Sequence, residues 1–241
     1  PWSRVRMCWC FSTTKIAEVV LRKSMEVFYT VNRDVEQIHR ETIVVDSHND
    51  SIMAHVVRGN HTLARDVPHN RRPPVQLNVQ KMRDGGIDVA YAAVAATRPW
   101  ANHLAYVLDA FGFLEAQLQD LAGDLVLARS WRDIVDAKQE GRKVFVLTIE
   151  NSDALEGSLN ILRVMFRVGV RSVSVTHNAR SLAADGNDES DTGGGLTRFG
   201  CDLVRAMNQL GMLVDVSHLS ERGFWDVLKI SEAPVIASHS C

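Results

Sequence analysis

Ile43-Val44-Val45-Asp46-Ser47-His48-Asn49-Asp50 runs three β-branched residues into an Asp-x-His-x-Asp cluster. The imidazole of His48 and the carboxylate of Asp50 are donor types that one divalent cation can share. Alternation along a strand would put Asp46, His48 and Asp50 on a single face. An apolar run with a polar tip recurs at Val144–Glu150, Val170–His177, Met212–His218 and Pro234–His239. His48, Asp50, Glu150, His218 and His239 together offer three imidazoles and two carboxylates. That set suits Zn²⁺ and is tolerated by Mn²⁺ or Fe²⁺. A carboxylate from a middle strand can bridge two cations. Two cations about 3.5–4 Å apart can share a hydroxide and polarise a carbonyl, which is hydrolytic chemistry.

Taken singly, each of these residues has a plainer reading. A lone histidine at a strand end is more often a hydrogen-bonded structural residue than a ligand. Glu150 alone could cap the following helix or pair with an arginine. Asp46 could orient a ligand or make a buried structural pairing. Repetition across five strand ends selects the metal reading for the set. His55, His61, His69 and His103 fall in a Pro-rich loop or at a helix start, and His39 sits on a helix with a solvent-exposed position. All five are off the pattern.

The elements that must hold these tips alternate. Strands are expected near 43, 89, 144, 170, 212 and 233, and the second, Val89–Ala95, ends without a polar tip. Helices are expected over 15–40, 79–84, 101–122, from Ser130 to near Gly141, 158–168, 198–210 and 221–230. Leu104, Val107, Leu108, Phe111, Leu114, Leu118 and Leu121 mark one buried helical face. Ser130 and Ser220 are placed to cap helices, Gly211 to stop one. Residues 51–78, rich in Pro and Asn, form a long loop, and a Gly- and Asp-rich loop spans 184–195. Period two places Val146 and Thr148 beneath Glu150, Val173 and Val175 beneath His177, Val214 and Val216 beneath His218, and Val235 and Ala237 beneath His239. Strands alternating with helices imply right-handed βαβ units and a parallel sheet, whose active sites lie at the strand carboxyl ends.

The 241 residues accommodate one α/β barrel. With 46% hydrophobic and 23% charged residues, the composition is that of an ordinary globular protein. A net charge of -2 gives no basic footprint for nucleic acid. No apolar run reaches the roughly 20 residues of a membrane helix. Cys8, Cys10, Cys201 and Cys241 have neither zinc-ligand spacing nor disulfide-scaffold density, so a reducing, cytoplasmic compartment is the default expectation.

Val45-Asp46-Ser47-His48-Asn49-Asp50, Thr148-Ile149-Glu150-Asn151, Thr176-His177-Asn178, Leu213–His218, Ala233–Ser240 and the run Gly200–Gly211 resemble the membrane dipeptidase (renal dipeptidase) family of metallopeptidases. The resemblance covers about 42–241 and is densest from 144 onward. It implies a TIM-like (β/α)8 barrel with two zinc ions that hydrolyses dipeptides through a metal-bound hydroxide, some members accepting a D-configured C-terminal residue. By matching motifs, His48 and Asp50 would hold one zinc, His218 and His239 the other, with Glu150 bridging. His177 would contact the substrate and steady the oxyanion. A dipeptide is the expected partner, and a homodimer is one assembly the resemblance admits.

The sequence departs from the family in three places. Asn151-Ser152 stands where many relatives have Gly-Gly, and Ala183-Ala184-Asp185 where some have Trp-Ala-Asp, removing an aromatic wall. The family's substrate-binding arginine and proton-shuttling aspartate lie beyond the last zinc histidine, two residues before this sequence stops. The expectation is therefore an irregular fragment start over 1–14, then a dipeptidase barrel domain over 15–241, truncated at its C-terminal end with about six of eight strands. The readings left open are another binuclear amidohydrolase (acting on a lactam, a lactone or an N-acyl amino acid) and an inactive metal-binding fragment.

Overall fold

The computed structural model of the chain describes residues 34–53, 62–66, 75–97 and 102–240. The expected fragment start at 1–14 and most of the helix expected over 15–40 lie outside these residues. The chain divides into two compact units, Pro1–Thr42 and Ile43–Cys241. In the first, residues 34–41 are helical and exposed, His39 included.

The second unit is built on one parallel sheet. Its strands are β1 (Val45–Asn49), β2 (Val89–Ala95), β3 (Leu125–Leu127), β4 (Lys143–Glu150), β5 (Val170–Ser174), β6 (Leu213–Asp215) and β7 (Val235–Ile236). They run in the order β1-β2-β4-β5-β6-β7, with β3 paired to β4. The sheet curls into an incomplete TIM-like barrel. Among the described residues, seven strands stand where sequence pattern gives six. The addition, β3, is three residues long, too short for period two to register. It pairs with Lys143–Phe145 at the start of β4, while β5 pairs with Leu147–Ile149 further along.

Between the strands lie α1 (Val79–Asp84), α2 (His103–Asp120), α3 (Trp131–Gln139), α4 (Leu159–Val168), α5 (Arg198–Leu210) and α6 (Glu221–Ile230). Local chemistry sets their ends. Ser130 and Asp133 form a capping box on α3, which satisfies two orphan N–H groups reciprocally. Ser220 accepts the Gly223 N–H at the start of α6. Gly211 ends α5 at φ 72°, a conformation free of Cβ strain only for glycine.

Two layers of core follow from the alternation of β2 and β4. Ala90, Ala92, Val94, Phe145, Leu147 and Ile149 join the larger core with helix residues such as Leu114, Leu162, Met165, Leu203 and Met207. Val89, Val144 and Val146 form a separate small cluster with Ala128 and Ala137. Glu150 shares the parity of Val144, Val146 and Thr148, so on β4 the expected layering holds.

On β5 and β6 it does not. Val173 and Val214 are register partners inside the large core, and the partners on the other parity are Ser174 and Asp215. The strands stop at those two residues, and the chain then turns before reaching His177 and His218. Counting by twos across the turn assigned the valines to the wrong layer. The layer beneath the site is polar there. On β1, a register irregularity between Asp46 and Asn49 likewise breaks the single face expected for Asp46, His48 and Asp50.

Candidate metal centre

Each polar tip reaches the site from the carboxyl end of its strand. Glu150 closes β4 in register with Ala95 of β2, and its carbonyl accepts the Ala96 N–H at 2.8 Å. Asn151 follows at φ 78°, and its side chain donates to the Ala96 carbonyl at 2.8 Å and accepts the Asp153 N–H at 3.1 Å. A glycine would adopt that φ without strain. Asparagine is among the side chains that tolerate positive φ best, here with two hydrogen bonds to hold it. The Asn-for-Gly departure is thereby accommodated.

His218 also has positive φ, 68°. Such strain in a histidine is maintained only where surrounding contacts impose it. The Asn187 N–H donates to its carbonyl at 2.8 Å, and its Nδ1 lies 2.7 Å from Asn178 Oδ1. Behind His177 and Asn178 the backbone of the Gly- and Asp-rich loop approaches so closely that a Cβ on Gly186 would sit 2.1 Å from the His177 carbonyl.

The side chains converge on Glu150, which is 4% exposed. Glu150 Oε1 lies 2.9 Å from His218 Nε2, 3.2 Å from His239 Nε2 and 3.7 Å from His177 Nε2. Glu150 Oε2 faces the other way, 4.0 Å from His48 Nε2. Asp50 Oδ1 is 3.6 Å from His48 Nε2 and is buried without a hydrogen-bond partner. The carboxylate of Glu150 thus divides its two oxygens between a His48–Asp50 side and a His218–His239 side. By distance the potential ligands group differently, as His48–Glu150–His239 and Glu150–His177–His218, each with its donor atoms within 4.8 Å of one another, so that His239 is within reach of both sides.

The donor set fits a cation on its own chemistry. The Nε2 atoms of His218 and His239 approach to 2.6 Å. Their Nδ1 atoms face acceptor oxygens, Asn178 Oδ1 at 2.7 Å and Ser238 Oγ at 2.9 Å. A protonated Nδ1 on each ring leaves two lone pairs directed at one point, and a positive charge there relieves the repulsion. The orphaned Asp50 oxygen asks for the same charge.

Electrostatics divide the histidines. Burial lowers the pKa of His177, and burial together with the charge of His48 lowers that of His239, keeping both imidazoles neutral and able to ligate. For His48, burial acts downward, but the neighbouring carboxylates of Asp50 and Glu150 outweigh it and its pKa rises.

Every expected site residue, His48, Asp50, Glu150, His177, His218 and His239, lies at this centre. By distance alone His177 sits among the ligands, and its separate role in substrate contact rests on the resemblance. Asp46 orients no ligand ring. Its carboxylate accepts the His48 N–H at 3.3 Å and the Asn49 side-chain amide at 3.2 Å, closing the end of its own strand. His103 opens α2 away from the cluster, and His55, His61 and His69 lie outside the described residues. Ala183, at the position expected to lack an aromatic wall, is fully buried.

Sequence reading passed over Asn178, Ser238 and Asp215. Each adjoins or precedes a candidate site histidine in the quoted motifs, and that adjacency was the available signal. Asp215 is buried and accepts from Ser217 N–H at 2.9 Å, Ser238 N–H at 3.2 Å, Ser174 Oγ at 3.0 Å and Ser238 Oγ at 2.5 Å. Burial would raise its pKa, but the side-chain and backbone hydrogen bonds from Ser238 and Ser217 outweigh it and hold the carboxyl below its ordinary value.

The sequence model of the membrane dipeptidase family (Peptidase family M19) matches residues 32–241. The chain belongs to the membrane dipeptidase family. It is similar to dipeptidase verJ of Clonostachys rogersoniana, with 32% identity over 155 residues, 64% of this chain and 37% of that protein. It superposes on the crystal structure of the metallopeptidase dipeptidase AC with a TM-score of 0.73 and 25% identity, covering 83% of this chain and 64% of that one. A Rhodobacter sphaeroides metallopeptidase, liganded with a phosphinate mimic of the dipeptide L-Ala-D-Ala, gives a TM-score of 0.70 at 24% identity, covering 83% of this chain and 66% of that one. The match to dipeptidase verJ thus spans little more than a third of that protein's length. Among the described residues of this family member, no helix is long and apolar enough to cross a membrane.

Proposed function

We propose that this chain carries the metal centre of a zinc-dependent dipeptidase. His48 and Asp50 would hold one zinc, His218 and His239 the other, and Glu150 would contribute one oxygen to each. The observation that carries this reading is the division of the Glu150 carboxylate, with Oε2 toward His48 and Oε1 toward His218 and His239. When bound, the two ions would supply Lewis acidity that polarises the peptide carbonyl and acidifies a water.

The chain's own residues do the rest. Glu150 is buried, so its charge acts in a low-dielectric setting and offsets positive charge on both sides. His177 stays neutral, so one ring nitrogen can donate a hydrogen bond to the oxygen that becomes negative as the peptide carbonyl is attacked. Dipeptides are the proposed substrates because the family is that of the membrane dipeptidases and the relative from Clonostachys rogersoniana is named a dipeptidase. A D-configured second residue is proposed by likeness to the protein that holds the L-Ala-D-Ala mimic.

The test is release of free alanine from L-Ala-D-Ala and L-Ala-L-Ala by zinc-loaded protein. We expect turnover that a chelator abolishes and zinc restores, with the D-configured peptide preferred. Two bound zinc ions with no turnover of either peptide, but with turnover of an N-acyl amino acid or a lactam, would move the assignment to another binuclear amidohydrolase.

A further inference from the structure

The chain of contacts beneath His239 has a direction. Among the described residues Asp215 faces donors: two backbone N–H groups on Oδ1, the hydroxyls of Ser174 and Ser238 on Oδ2, and the Ser217 side chain beside them. The Ser238 hydroxyl has one proton, and at 2.5 Å from a carboxylate oxygen that proton points to Asp215. Ser238 Oγ can then only accept from His239 Nδ1, 2.9 Å away. His239 is left with its proton on Nδ1 and its lone pair on Nε2, the atom that faces Glu150 and His218. The backbone of the chain is held as well, because the His239 N–H donates to Ser217 Oγ at 3.2 Å and Ser47 Oγ donates to the Ser238 carbonyl at 2.6 Å.

We infer that Asp215 is a positioning residue for the metal centre: acting through the Ser238 hydroxyl, it fixes the tautomer in which His239 can ligate a cation. The inference rests on the metal reading of the site. Its sharpest consequence concerns Asp215→Asn, which is nearly isosteric. The backbone N–H groups of Ser217 and Ser238 keep the amide oxygen at the Oδ1 position, so the NH₂ group turns to Ser174 and Ser238. Ser238 Oγ then accepts from Asn, and its own proton turns to His239 Nδ1 at 2.9 Å, nearer than Ser217 Oγ at 3.4 Å. That hydrogen bond favours the proton on Nε2, where it blocks metal binding. A similar fault follows when an aspartate that orients an imidazole becomes asparagine in a hydrolase triad.

The test is Zn²⁺ titration with a competing chelator on the full chain, for wild type, Asp215→Asn, Ser238→Ala and the double variant, with thermal melts alongside. Asp215→Asn should weaken the affected zinc about 10- to 100-fold, the range for lost partners of ligand histidines. Ser238→Ala should cost about tenfold or less, because water can then accept from Nδ1. Adding Asp215→Asn to Ser238→Ala should change affinity no further. Wild-type affinity in Asp215→Asn, or an undiminished Asp215→Asn effect in the Ser238→Ala background, overturns the inference and leaves the metal centre standing. A wild-type chain that takes up no zinc removes the metal reading and this inference with it. If Asp215→Asn does not fold, Ser238→Thr should retain wild-type affinity while Ser238→Ala weakens it, and equal affinities overturn the inference.

Discussion

Asp50 Oδ1, buried and unpaired, and the facing Nε2 atoms of His218 and His239 are three groups with unsatisfied demand for positive charge in one small volume. Around them, residue types predict roles that a substitution can separate. His177 is the instructive case, since its distance of 3.7 Å to Glu150 would suit a ligand while the resemblance gives it a substrate role. His177→Ala should therefore keep both zinc ions and lose turnover by about 10²–10³, the usual effect of removing one oxyanion donor. Metal analysis beside dipeptide hydrolysis decides it, and loss of a zinc together with turnover would make His177 a ligand.

At the scale of elements, the site depends on how strands end more than on how they run. Gly186 brings the loop before the Asn187–Thr192 turn onto the backbone of His177 and Asn178. Gly186→Ala should push that backbone aside, destabilise the fold by about 1–3 kcal/mol as an overpacked contact, and loosen His218 through Asn178. Urea unfolding and zinc affinity should both register it, and unchanged values for both would remove the loop from the account. Strand ends are also where sequence reading was least complete. Helix limits were legible because Ser130, Ser220 and Gly211 announce them chemically. The residues that gather at the centre were legible because polar tips recur at the ends of apolar strand-like runs. The polar layer of Ser174 and Asp215 was not legible, because β5 and β6 stop before the histidines and the alternation does not carry through His218 at φ 68°. The strand β3 escaped for the opposite reason, being too short to show any period.

For the molecule as a whole, the two ends of the sheet have different duties. At the amino end, Asp88 accepts the Val44 N–H at 3.0 Å, Lys138 Nζ at 2.7 Å and Lys143 Nζ at 3.3 Å, joining the segments before β1 and β2 to α3 and β4. Burial pushes its pKa up, but the Lys138 hydrogen bond, the Val44 N–H and the two ammonium charges outweigh it and hold the carboxyl below its ordinary value. A depressed folded-state pKa means stability that is present above the unfolded value, about 3.9, and is lost as pH falls through the folded value. Asp88→Asn should thus cost about 2 kcal/mol at neutral pH, the scale of hydrogen bonds to a charged group. The difference from wild type should begin to close below about pH 4 and vanish only once pH has fallen below the lowered folded-state value. A gap that stays constant from neutral pH down to the acid limit of folding would contradict the ionic role. Zinc binding should be nearly untouched, since Asp88 lies at the opposite end of β4 from Glu150.

The carboxyl end carries the chemistry, and its central claim is that one buried carboxylate serves two cations. Zinc content per chain after gel filtration, measured by mass spectrometry for wild type and Glu150→Gln, tests that claim most directly. The account predicts about two zinc ions on the wild type and loss of both from Glu150→Gln, because a bridging ligand is shared. Fewer than about one on the wild type, or full retention in the variant, would contradict it.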